Sequence, residues 1–146
     1  MTVVDEDTLR DMELARRVIG SEDVSVVVVQ YEKVWRQKKG SGLKPFLEVI
    51  EELGDDISGC VIGDRILGRA SALLCRYIKA GAVYSPCGTK TGIALLIMGG
   101  VPCQVDRMIP FIKNRDGDMC PFEKLLGGVE DPAEAYNVLR DRVLKE

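Results

Sequence analysis

The sequence predicts an α/β domain in three layers, a mixed sheet held between helices. Val24 to Val29, "VSVVVV", is a nearly continuous β-branched run, the pattern of a strand covered on both faces. After it, short apolar pieces alternate with longer segments whose apolar residues recur at helical spacing, as in sheets flanked by helices. The 146 residues suit one core, and no repeat or low-complexity linker divides them, so residues 1–146 read as a single domain.

Asp7 is placed to cap a first helix ending near Ile19, with Leu9, Met12, Ala15, Val18 and Ile19 on one stripe and Gly20 as the stop. The valine strand follows. Val34 to Arg36 reads as its hairpin partner, although no Asn-Gly turn joins the two. Ser41 is the expected N-cap of a second helix, in which Pro45 fits the first turn and Leu43, Phe46, Leu47, Ile50 and Leu53 share a face. "SGCVIGD" is a short strand ending at Asp64, which is expected to cap a helix containing Ile66, Leu67, Ala70, Leu73, Leu74, Tyr77 and Ile78 that stops at Gly81. "AVYS", an apolar helix through "GIALLIMGG" and the strand "VPCQVD" continue the alternation, and strands joined through helices are expected to be parallel. Two shorter helices close the chain, one from near Pro121 and one capped by Asp131 with Pro132 at its first position and Glu134 in the capping box.

Composition removes several function classes. Hydrophobic residues make up 46% and charged residues 29%, with 20 basic against 23 acidic side chains and a net charge of −3, so neither a disordered chain nor a general nucleic-acid binder is expected. The N-terminus is acidic and lacks the basic-then-apolar order of a signal peptide, and no apolar run approaches the roughly 20 residues that span a bilayer. A cytoplasmic protein with no membrane partner is the expectation. Five well-separated cysteines fit a reducing compartment. The absence of histidine excludes serine-histidine, cysteine-histidine and histidine-metal mechanisms.

Four stretches carry polar chemistry. "KKGSGLK" offers the backbone of Gly40 to Leu43 at a helix start, with Lys38, Lys39 and Lys44 beside it; it reads either as an anion cradle or as a solvated turn with a serine cap. It lacks the Gly-Lys-Ser/Thr ending of a P-loop, and "GTKTG" fails the same test. In "GDRILGRASALL", Asp64, Gly68 and Arg69 follow a buried strand, where layered α/β folds place ligands. Gly68 costs about 1 kcal/mol against alanine inside a helix. Its use points to a close approach, by a ligand or by tight helix packing. "NRDGD" mimics a calcium loop, but its glycine falls one place early and Leu125 stands where the closing glutamate belongs. In "DMCPFE", Cys120 is either an N-cap thiol, with Pro121 and Glu123 following, or a small buried residue, and Asp118 and Glu123 oppose its ionisation.

The phrases "GLKPFLEV", "GRASALL", "NRDGDMCPFEKL" and "DPAEAY" resemble a family of small bacterial and archaeal proteins known only as a domain of unknown function. That family is similar in fold to cytidine deaminases. The resemblance implies a mixed sheet between helices, with a site at the starts of the helices after the second and third strands, near Ser41 and Asp64. Zinc deaminases carry a His or Cys with a catalytic Glu on the first of these helices and Pro-Cys-x-x-Cys on the second. "SGLKPF" and "DRILGR" stand there instead, so the fold is expected without zinc and without deamination.

The leading expectation is a small-molecule binder, for a nucleotide-like or phosphorylated ligand, with no cofactor. Its site draws on Lys39, Ser41, Lys44, Asp64, Gly68 and Arg69, and on Asn114 and Arg115 if their loop borders the cleft. A metal-free enzyme with Cys120 as nucleophile and Asp64 or Glu123 as acid or base is the second reading. The third is a regulatory module that self-associates as a homodimer.

Overall fold

The computed structural model describes residues 4–21, 23–112 and 121–144. The chain runs α1 (Glu6–Ser21), β1 (Val26–Gln30), β2 (Lys33–Lys38), α2 (Lys44–Leu53), a 3₁₀ turn (Gly54–Ile57), β3 (Val61–Asp64), β4 (Ile66–Leu67), α3 (Arg69–Tyr77), β5 (Ala82–Thr89), α4 (Lys90–Met98), β6 (Cys103–Ile109), α5 (Pro121–Leu125) and α6 (Pro132–Val143). No described helix is long and apolar enough to cross a membrane.

The sheet is mixed. β1 pairs antiparallel with both β2 and β3, while β3 and β4 pair parallel with successive parts of β5. β6 runs parallel to β5 along its other edge. The valine run is buried on both faces because the two faces have different covers. Val26 and Val28 join the core built by α2, α3, α4 and α6, through residues such as Phe46, Leu73, Leu96 and Leu139. Val27 and Val29 pack with Met12, Ala15 and Ile19 of α1. Gly63 lets α1 come this close, since a Cβ there would lie 2.6 Å from Val27 Cγ1 and 3.2 Å from Ala15 Cβ. The α-β-α layering expected from the sequence is therefore present, with α1 the one helix among the described residues on that face.

The hairpin closes without Asn-Gly. Tyr31 and Glu32 both take left-handed backbone, at φ 55° and 58°, and the buried Asp11 of α1 accepts the Glu32 N–H at 2.7 Å. A side chain from another element thus supports a turn that its own residues disfavour.

Three expected caps are corrected. Asp5, not Asp7, accepts from Thr8 N at 2.7 Å at the start of α1. Ser41 lies outside α2, which begins at Lys44 behind Leu43 with no side-chain cap. Asp64 ends β3 and does not cap α3: Ile66 and Leu67, expected in the helix, pair as strand with Cys87 and Gly88, and Gly68 occupies the cap position. α3 ends before Gly81, at Tyr77, with Lys79 left-handed at φ 56°. Asp131 caps α6 as expected, accepting from Glu134 N at 3.0 Å. β5 and β6 outrun "AVYS" and "VPCQVD" because they pair with each other as far as Thr89 and Ile109.

Candidate functional site

A cavity of about 430 Å³ opens at the carboxyl end of β3. This is the end of a parallel strand pair, where layered α/β folds place ligands. One wall is the loop before α2, Gly40 to Leu43, where Gly40 and Gly42 take φ of 129° and 70°. Positive φ at both positions favours glycine, which accounts for the spacing of "GSG". Ser25 and Ile66 line the strand side, Ala70 and Ser71 the first turn of α3, and Ile112, Phe122 and Glu123 the remaining side.

Asp64 is the polar centre of the lining. It is only 7% exposed, and its Oδ2 has no hydrogen-bond partner. Burial pushes its carboxyl up to about 7, against the opposing hydrogen bonds of Ser71 and of the Ile66 and Arg65 backbone, and the nearby Glu123 charge adds to the rise. Arg65 also lines the cavity. Its guanidinium donates to Val24 O and Ile19 O, both at 2.9 Å, tying the end of α1 to the start of β1.

Glu123 caps α3 from 54 residues away. Its Oε1 accepts from Arg69 N at 2.7 Å and its Oε2 from Ala70 N at 2.9 Å, so a carboxylate sits on the positive end of the helix. This resolves Gly68: a Cβ there would lie 2.1 Å from Glu123 Oε1 and 2.4 Å from Ile112 Cδ1. Gly92 makes a second close approach, with Gly68 O 2.9 Å from the place of its Cβ. Arg69 Nη1 donates to Val129 O at 2.9 Å and so fastens the segment between α5 and α6.

Of the residues singled out in the sequence, Ser41, Asp64 and Glu123 line the cavity. Lys39 and Lys44 are exposed and outside its lining, Gly68 lies behind Glu123, and Arg69 is engaged with Val129. Asn114, Arg115 and Cys120 fall outside the described residues. Four described cysteines, Cys60, Cys75, Cys87 and Cys103, are free thiols, and burial raises Cys60 to about 11 and Cys75 and Cys103 upward. Among the described residues no group of three or more His, Cys, Asp or Glu is placed to hold a metal ion. Sequence reasoning missed Ser25, Ile66, Ile112 and Phe122, which have no motif and reach the site only through the fold.

A family model described as "Domain of unknown function (DUF1893)" matches residues 8–143. The chain belongs to the DUF1893 family. The crystal structure of a DUF1893 family protein from Thermotoga maritima is similar at a TM-score of 0.83 and 28% identity, covering 96% of this chain and 92% of that one. Two crystal forms of Acinetobacter baumannii RibD are similar at TM-scores of 0.49 and 0.48, each with 14% identity over 67% of this chain and 33% of RibD. Among curated proteins none matches the sequence.

Two expectations for this DUF1893 member follow. Asp64 holds its proton in the folded state to about pH 7, whereas an unfolded aspartate releases it near 3.9. Below about pH 4 both states are protonated and the group is neutral to stability. Between about 4 and 7 only the unfolded state ionises, so stability falls as pH rises and then levels off. Asp64→Asn lacks this loss, and urea denaturation should show it gaining on the native chain by on the order of 3 kcal/mol between pH 4 and pH 8. Equal pH dependence in the two proteins would refute the assignment. Separately, Glu123→Ala should cost about 1–2 kcal/mol as a lost cap. Gly68→Ala should cost less in the Glu123→Ala background than in the native one, because its main clash is then gone; additive costs would count against the contact.

Proposed function

We propose that this is a cytosolic small-molecule-binding protein whose ligand occupies the cavity at the end of β3. The carrying observation is a concave site with apolar walls, Leu43, Ile66, Ala70, Ile112 and Phe122, around one buried carboxyl with an unpaired oxygen. Few polar groups in an apolar lining is how small-ligand sites fix orientation.

A nucleotide-like ligand divides between two parts of this lining. Its ring portion suits the apolar walls and Asp64. A phosphate has less support: Glu123 already fills the start of α3, and Lys39 and Lys44 stand outside the lining. The start of α2, bordered by the glycine loop and free of any side-chain cap, is the remaining feature that attracts an anion.

A thermal-shift screen of nucleobases, nucleosides, nucleotides and sugar phosphates tests this reading. A true ligand at a hundred times its Kd stabilises by about 2.7 kcal/mol. The shift should vanish in Ser41→Trp, which sets an indole at the exposed rim without disturbing the core. A silent panel, or a shift that Ser41→Trp leaves intact, rejects the cavity as the site.

A further inference from the structure

Resting on the cavity as the ligand site, we infer that its ligand is an organic weak base, a compact ring carrying an amidine or amino group whose N–H head is received by Asp64. Three features of the geometry combine. Asp64 is buried in the lining with Oδ2 unpaired, and an orphaned buried oxygen is costly unless some donor reaches it. The walls around it are apolar, with the Phe122 ring among them, and suit a flat body better than a hydrated ion. Arg65 is the one cation among the described lining residues, and its guanidinium donates to Val24 O and Ile19 O.

The groups that face Asp64 are accounted for on each side. Ser71 and Cys75 lie on α3, Glu123 on α5, and Arg65 in the bend between β3 and β4. Ser71 supplies a hydrogen bond and no charge. The Cys75 thiol is held protonated by burial, with the Asp64 charge adding to the rise. Both Glu123 oxygens are taken by Arg69 N and Ala70 N, yet its negative charge still acts on the cavity. The Arg65 guanidinium donates to two carbonyls, Val24 O and Ile19 O. Two acids, Asp64 and Glu123, against one cation, Arg65, among the described lining residues leave the ionised lining net negative, which favours positive charge. A bound base then completes the pairing that the folded chain leaves open, and its affinity follows the ionisation of Asp64.

Benzamidine, cationic throughout the working range, is the probe, with the neutral isostere benzamide as control. Calorimetry on the full chain at pH 8 should give benzamidine at least a tenfold advantage. Because burial raises Asp64 to about 7, that affinity should drop roughly tenfold per pH unit below 7, one proton being displaced by the ligand. Asp64→Asn should bring the two probes level, and Ser41→Trp should abolish binding of both. Equal affinity for benzamidine and benzamide, a flat pH profile, or a preference that survives in Asp64→Asn overturns the inference. If neither probe binds while another compound stabilises the chain in a manner lost in Ser41→Trp, the weak-base inference falls and the cavity reading stands. If nothing binds at all, both fall.

Discussion

The site depends on one unfavourable arrangement, a carboxyl buried at the end of a central strand with one oxygen unpaired. Taking a carboxylate out of water costs several kcal/mol, and the group answers by keeping its proton toward neutral pH. The surroundings soften that cost without removing it. Ser71 and two backbone N–H groups favour the charged form, while Glu123, nearby and negative, opposes it. The nearest cation in sequence, Arg65, lines the cavity while its guanidinium holds Ile19 O and Val24 O. In the proposed reading, the ligand supplies the donor that Asp64 Oδ2 lacks.

Glu123 is the counterpart of that strain. It fixes the start of α3, and with it Ala70 and Ser71, by two charge-assisted hydrogen bonds from a distant part of the chain. The glycine at position 68 is what that carboxylate needs in order to approach, and Gly92 lets α4 close on the same turn. The wall of the cavity on this side is thus built from three separate segments. That dependence on remote segments ties the shape of the site to the fold as a whole.

The fold was largely legible because it rests on periodicity. The valine run, the alternation of strands with helices, and the proline-led helix at Asp131 are local patterns, and the valine strand and the helix behind Asp131 appear where the pattern put them. The site was legible in part. Asp64 and Ser41 stand in one lining, and the family resemblance to a domain of unknown function agrees with the DUF1893 match. What failed was everything decided by partners remote in sequence. Asp64 looks like a cap because aspartate before a helix usually is one, yet Ile66 and Leu67 find strand partners in β5 and the cap arrives from Glu123. The left-handed hairpin turn at Tyr31 and Glu32 is held by Asp11, which no turn motif announces. Lys39 and Lys44, adjacent to the glycine loop in sequence, project outside the lining.

The protonation of Asp64 links the stability, the shape and the proposed chemistry of the site, and carbon NMR of the aspartate carboxyls, with Asp64 assigned by its absence from Asp64→Asn, reads it directly. The carboxyl signal of Asp64 in the folded chain should titrate with a midpoint at about 7. A midpoint near 4, the value of an ordinary exposed aspartate, would contradict the account.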